Sequence, residues 1–187
     1  GHGRLARAPR RARDEPVKPG FQGVEPVQRD LRILAVLGQS CPVRLDPRGK
    51  ALVSFGDAAQ GQGHETTISQ VAAHEFGIHP DDIIVREGDT ETTPFGSGTI
   101  GARTGSYIMS GVSTACRVLK DKMALIMAHD LALDAMPEDF EFVDGEIIYG
   151  KDSNIRKTFG EMAERIIMAP VNLPEGVEGG LEHTAFF

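Results

Sequence analysis

Two glycine-rich loops within residues 56–104 constrain this chain more than any other feature. The first reads Gln60-Gly61-Gln62-Gly63-His64-Glu65-Thr66-Thr67. The second reads Gly96-Ser97-Gly98-Thr99-Ile100-Gly101-Ala102-Arg103-Thr104. Each follows extended-looking sequence and precedes a run with helical spacing. The first backbone N–H groups of a helix lack intrahelical partners, and glycine lets a ligand approach them closely. Such a terminus suits an anion. Two of them in one small domain predict the two halves of a cofactor cradle, with the remaining residues as scaffold.

The flanking sequence supplies that scaffold. Val43 and Leu45 alternate with polar residues, Asp46-Pro47-Arg48-Gly49 makes a turn, and Ala51-Leu52-Val53-Ser54-Phe55 returns, which predicts a hairpin. A helix is expected over 64–76, where Ile68, Val71, Ala72 and Phe76 share a face before Gly77 stops it. Ile83-Ile84-Val85 forms a short buried strand. A long helix over 106–133 follows the second loop, with Ile108, Val112, Ala115, Leu119, Met123 and Ile126 on one face. Asp144-Gly145 joins a second hairpin, and Thr158-Phe159-Gly160-Glu161 is a capping box that opens a third helix. The order ββαβαββα predicts an α+β fold, a mixed sheet with hairpins packed by helices.

Three regions are expected. Residues 1–39 carry eight Lys or Arg against four Asp or Glu among Pro, Ala and Gly, and read as an irregular, disordered basic arm. Its run Leu31–Leu37 fits either a strand or a short helix. Residues 40–175 form the α+β domain, and 176–187 read as a tail. The net charge of −7 leaves the globular part acidic, which argues against nucleic acid as its partner. No apolar run reaches the roughly 20 residues that span a bilayer. Cys41 and Cys116 stand alone, which fits a reducing cytoplasm.

Several chemistries lack their residues. His64-Glu65 and His74-Glu75 invite a zinc hydrolase reading, but positions 68 and 78 are both Ile where a second His is needed. No phosphate-loop Lys follows either glycine run, and Gly61-Gln62-Gly63 lacks the third glycine of a dinucleotide fingerprint. Ser97 sits among glycines without an evident base. What remains is a dense set of neutral donors and acceptors, Gln60, Gln62, His64, Thr66 and Thr67 at one helix start and Thr99, Arg103 and Thr104 at the next. These suit recognition of a phosphate or pterin, or, equally, tight turns and helix caps.

The ordered motifs Gln60 to Thr67, then Glu87-Gly88-Asp89-Thr90, then Pro94-Phe95-Gly96-Ser97-Gly98-Thr99-Ile100-Gly101-Ala102-Arg103 resemble the large subunit of molybdenum hydroxylases, the xanthine oxidase family. The branch they look most like is that of aerobic carbon monoxide dehydrogenase. The resemblance covers about 41–187. It implies a molybdopterin cytosine dinucleotide containing molybdenum, contacted by Gln62, Gly63 and His64, with Thr66 and Thr67 on the phosphate side. Gly101 would place its backbone beside the molybdenum ligands, with Thr99, Ala102, Arg103 and Thr104 in the same loop. Ala102 stands where carbon monoxide dehydrogenases usually have Ser, which leaves the substrate open among carbon monoxide, an aldehyde or an N-heterocycle. The implied activity is hydroxylation with water, with iron–sulfur and flavin subunits as partners. The family's catalytic glutamate would lie beyond Phe187, so no catalytic residue or metal-ligating side chain is assigned. Two alternatives accompany this reading: an inactive truncated piece of such a subunit, and a binding module whose basic arm contacts nucleic acid.

Overall fold

A computed structural model describes residues 38–187. The basic arm up to residue 37, including Leu31–Leu37, lies outside the described residues. Strands β1 (Ser40–Leu45) and β2 (Ala51–Phe55) form the first hairpin, followed by helix α1 (His64–Phe76) and strand β3 (Ile83–Glu87). Helix α2 runs Thr104–Asp130. Strands β4 (Phe140–Val143), β5 (Glu146–Tyr149) and β6 (Arg156–Thr158) then precede helix α3 (Phe159–Met168) and strand β7 (Glu182–Phe186).

The strands form a four-stranded sheet, β3-β2-β1-β7, and a three-stranded sheet, β4-β5-β6. β2 and β3 run parallel through α1, with Phe55 opposite Glu87, while β1 is antiparallel to both β2 and β7. The α+β class with a mixed sheet is therefore as expected. Two elements were not. β6 adds a strand before the third helix, and residues 182–186 are a paired strand rather than part of a tail. Ser40 pairs with Phe186 and Arg44 with Glu182. The expected boundary at residue 40 also moves, because Gln39 is buried and exchanges backbone hydrogen bonds with Phe187 at 2.6 and 2.9 Å.

α2 packs on β1 and β7, α1 on β3, and the two helices on each other. The inward residues Val43, Val53, Phe55, Ile68, Phe76, Ile108 and Leu119 are all at most 1% exposed. Gly111 lets α2 come close to β1. A Cβ there would lie 2.5 Å from the Cys41 Sγ. Both thiols, of Cys41 and of Cys116 on α2, are buried. Burial, reinforced by the Asp57 charge, pushes the Cys41 thiol up to about 12, and burial followed by Glu75 pushes Cys116 up too. Neither has the thiolate character of a reactive cysteine.

The small sheet is fastened where α1 ends. Gly77 caps α1 in the left-handed conformation with φ 67°, and its N–H donates to the Ala73 carbonyl. Its own carbonyl accepts from Gly145 N at 2.7 Å, and Phe76 meets Phe159 edge-on at 5.3 Å. A Cβ on Gly77 would lie 2.2 Å from the Phe142 carbonyl oxygen. Gly145 has a similar φ of 76° in the Asp144-Gly145 turn, yet its Cβ would meet nothing.

Gly77→Ala and Gly145→Ala thus share backbone strain of about 1 kcal/mol, and only the first adds a collision. Urea denaturation should show Gly77→Ala costing at least about 2 kcal/mol more than Gly145→Ala. Equal losses would mean that the seam between α1 and the small sheet is loose. Across the other seam, Glu75 on α1 accepts from Ser113 at 2.5 Å and from Arg117 at 2.9 and 3.1 Å. Burial alone would raise its carboxyl, but the hydrogen bonds from Arg117 and Ser113 outweigh burial and hold it below the usual range. A lowered folded value gives stability that is present above the unfolded carboxylate range near 4 and is lost as pH falls. Glu75→Gln should cost roughly 1 kcal/mol at pH 7. That difference should shrink as pH falls toward about 3. A gap independent of pH would dismiss the ionic contribution.

Candidate functional site

The carboxyl ends of the parallel pair β2 and β3 and the N-terminus of α1 lie at one end of the sheet, where α/β units commonly hold ligands. Beyond β2 the chain enters Gly56 and the first glycine loop. The second loop meets it there. A Cβ on Gly56 would lie 2.6 Å from the Gly96 Cα, and one on Gly96 would lie 2.5 Å from the Gly56 Cα. Only glycine at both positions lets the two backbones touch.

Side chains fasten the crossing. Ser40 N donates to the Phe95 carbonyl at 2.9 Å, and Phe95 N donates to Ser40 Oγ at 2.9 Å. Gln39 Nε2 donates to Asp57 Oδ1 at 2.7 Å and to Ser97 Oγ at 3.0 Å. The other oxygen of buried Asp57 accepts from the hydroxyl of Thr104, the first residue of α2. Thr99 Oγ1 accepts from Ala58 N at 2.9 Å and donates to the Ala58 carbonyl at 2.7 Å. Each bond joins segments more than 15 residues apart, so the two loops are held as one unit.

Between them lies a hollow of about 450 Å³. The first loop and α1 line it with Gln60, Gln62, His64, Thr67 and Ile68. The second loop and α2 line it with Thr99, Ile100, Gly101, Ala102, Thr104, Gly105 and Met109. Both helices begin at it without a side-chain cap. The N-cap of α1 is Gly63, left-handed at φ 72°, and that of α2 is Arg103. Gly101 and Ala102 are also left-handed, at φ 64° and 55°. Such a conformation is uncommon for Ala and concentrates at functional loops.

The expected contact residues fall into two groups. Gln62, His64, Thr67, Thr99, Gly101, Ala102 and Thr104 line the hollow. Gly63, Thr66 and Arg103 do not. Gly63 makes the turn into α1, and Thr66 is exposed with its carbonyl accepting from Ser69 Oγ at 2.9 Å. Arg103 donates to the Ile100 carbonyl at 3.2 Å and Ser97 Oγ at 3.3 Å, with its guanidinium 5.7 Å from the Tyr107 ring centre. Within the first group most hydroxyls serve the loops themselves. Thr67 Oγ1 donates to the Gly63 carbonyl at 2.8 Å, and Gln62 Oε1 accepts from Gln60 N at 2.5 Å. The groups left for a ligand are therefore mainly backbone N–H of the two helix starts.

Three further residues matter: Gln39 and Asp57, which lie outside the motifs, and Glu87, which opens the Glu87-Gly88-Asp89-Thr90 motif but is given no role there. Glu87 is the last residue of β3, and Asp57 lies two residues beyond the end of β2. A charged residue at such an end is the signal that marks them. His64 Nδ1 lies 3.2 Å from Glu87 Oε2, and the His64 ring meets Phe55 at 6.1 Å edge-on.

The donor set fits an anionic cofactor with a flat ring. Two helix N-termini supply N–H groups and favourable dipoles for phosphate. Ile68, Ile100 and Met109 offer apolar surface for a ring. Built Cβ atoms on Gly61, Gly63 and Gly98 meet nothing within 4 Å, so ligand atoms can approach that backbone. No cluster of three His, Cys, Asp or Glu side chains suited to a metal occurs among the described residues. A metal held here through a cofactor's own ligands would need none.

Comparison with known proteins points the same way. Residues 15–187 match the family described as molybdopterin cofactor-binding domain, so the match begins well before Cys41 and takes in much of the basic arm. The carbon monoxide dehydrogenase large chain of Hydrogenophaga pseudoflava is 38% identical over 148 residues, 79% of this chain and 18% of that protein. The nicotine 6-hydroxylase large subunit of Paenarthrobacter nicotinovorans is 31% identical over 149 residues, 80% of this chain and 18% of that protein. The solved structure of reconstituted CO dehydrogenase from Oligotropha carboxidovorans superposes with a TM-score of 0.71 at 34% identity, covering 81% of this chain and 18% of that one. The chain thus spans about 18% of the length of these relatives. It belongs to the molybdopterin cofactor-binding domain family, in the form found in carbon monoxide dehydrogenase large chains and their xanthine oxidase-type relatives.

Proposed function

We propose that this chain binds the dinucleotide form of the cofactor, molybdopterin cytosine dinucleotide, in the hollow between its two glycine loops. It would do so as part of an oxidoreductase that hydroxylates a small molecule with oxygen from water. The observation that carries the proposal is the convergence of two helix N-termini without side-chain caps on one space, bordered by Gln62 and Gly101. A diphosphate has the charge and the acceptor oxygens that such a site lacks. When bound, the cofactor supplies the two-electron oxidation.

This chain's residues bind and orient. The N–H groups at the start of α1 and α2 would hold phosphate oxygens. The left-handed Gly101 and Ala102 present their backbone to the hollow at close range. Gln39, Asp57 and Thr104 hold the second loop against the first, so the donors are set before the ligand arrives. Catalytic acid–base groups are not assigned to this chain, and the substrate class is that of carbon monoxide, an aldehyde or an N-heterocycle. Iron–sulfur and flavin subunits are the expected electron acceptors, and the buried unpaired thiols fit a cytoplasmic setting.

Gly105 provides the test. It lines the hollow in the first turn of α2, and a Cβ there meets nothing. Gly105→Asp would place a negative charge where it favours the helix N-terminus but repels a phosphate. Calorimetry with cytidine diphosphate should show at least a tenfold loss of affinity, while the melting temperature stays level or rises. Unchanged affinity in a folded Gly105→Asp chain would place the phosphate site elsewhere.

A further inference from the structure

His64 and Glu87 form a pair beside the hollow that the two loops do not explain. His64 is the first residue of α1 and Glu87 the last of β3, and their side chains are only 8% and 14% exposed. Nδ1 of His64 lies 3.2 Å from Glu87 Oε2, and the ring edge rests against Phe55 at the end of β2. Among the described residues the Glu87 carboxylate has no other hydrogen-bond or ion-pair partner. A carboxylate only accepts, so in the neutral ring the contact requires the proton to be on Nδ1. The ring is thereby fixed in one orientation and one tautomer, as carboxylates do for histidines that must present their second nitrogen.

We infer that Glu87 is a positioning residue that keeps the proton on Nδ1 of His64 and so offers the Nε2 lone pair to a ring N–H or amine of the ligand in the hollow. The inference rests on the cofactor-binding reading and divides the site by chemistry. The helix termini contribute donors for the phosphates. They cannot satisfy the N–H groups of a pterin-type heterocycle, which need acceptors. Gln62 Oε1 accepts from Gln60 N, and the Thr99 and Thr104 hydroxyls donate to the Ala58 carbonyl and Asp57, so the loops themselves set the direction of these groups. Nε2 of His64 is a side-chain acceptor at the hollow whose ring is held from outside the two loops, by the last residue of β3. Glu87 would then act on the heterocycle alone, without affecting the phosphates.

The test uses the full 187-residue chain labelled with 15N-histidine, and two probes. Neopterin represents the heterocycle and inorganic pyrophosphate the phosphates. Long-range 1H–15N correlation of the unliganded chain should show His64 as the Nδ1–H tautomer, and the Nε2 signal should move when neopterin is added. Glu87→Leu should lose the tautomer preference and bind neopterin about tenfold more weakly, the effect of one hydrogen bond. Its affinity for pyrophosphate should be unchanged. Glu87→Gln, whose amide oxygen can still accept from Nδ1–H, should retain both the tautomer and most of the neopterin affinity. An Nε2–H tautomer in the unsubstituted chain would overturn the inference even if no variant folds, as would a Glu87→Leu chain that binds neopterin normally. If the unsubstituted chain binds neither probe, the cofactor reading itself fails and takes this inference with it. Binding of both probes with the wrong tautomer removes the inference and leaves that reading standing.

Discussion

The contact between Gly56 and Gly96 is the constraint on which the site depends. The two residues are distant in sequence and meet at Cβ-less backbone, where any side chain would lie about 2.5 Å from the opposing Cα. This crossing brings the start of α2 to the start of α1. Without it, each helix would still have its unpaired N–H groups, but they would not face a common space. The surrounding hydrogen bonds, from Gln39 and Thr104 to Asp57 and from Thr99 to Ala58, fix the distance between the loops. A preorganised site of this kind avoids the ordering cost of assembling two flexible loops around a ligand.

The scaffold serves that crossing. The βαβ unit formed by β2, α1 and β3 points the first helix terminus at the sheet end, and the long α2 carries the second from the same end across β1 and β7. Gly111 lets α2 lie close to β1, and the Glu75 contacts with Ser113 and Arg117 tie it to α1. The small sheet and α3 sit away from the hollow and close the far end of α1 through Gly77 and the Phe76–Phe159 contact.

Much of this was legible in the sequence where local rules dominate. The span of α1 follows from Gly63, the apolar positions Ile68, Ala72 and Phe76, and the left-handed stop at Gly77. The Asp144-Gly145 turn and the Thr158–Glu161 capping box are equally local. Strand β7 was not legible, because Glu182-His183-Thr184-Ala185-Phe186 follows a Gly- and Pro-rich stretch and becomes a strand only by pairing with β1 some 140 residues earlier. The roles of Asp57 and Glu87 were hidden for the same reason, since their partners Thr104 and His64 come from other elements. The loop motifs did indicate which backbone gathers at the hollow. They did not show that the threonine hydroxyls are turned back onto the loops, leaving the backbone as the main donor surface.

The most direct measurement is molybdenum and nucleotide content of the assembly that carries this chain, purified intact from its native source. Acid release and metal analysis should give one molybdenum and one cytidine monophosphate for each copy of the chain. An intact assembly that contains this chain but neither molybdenum nor a releasable pterin nucleotide would contradict the account.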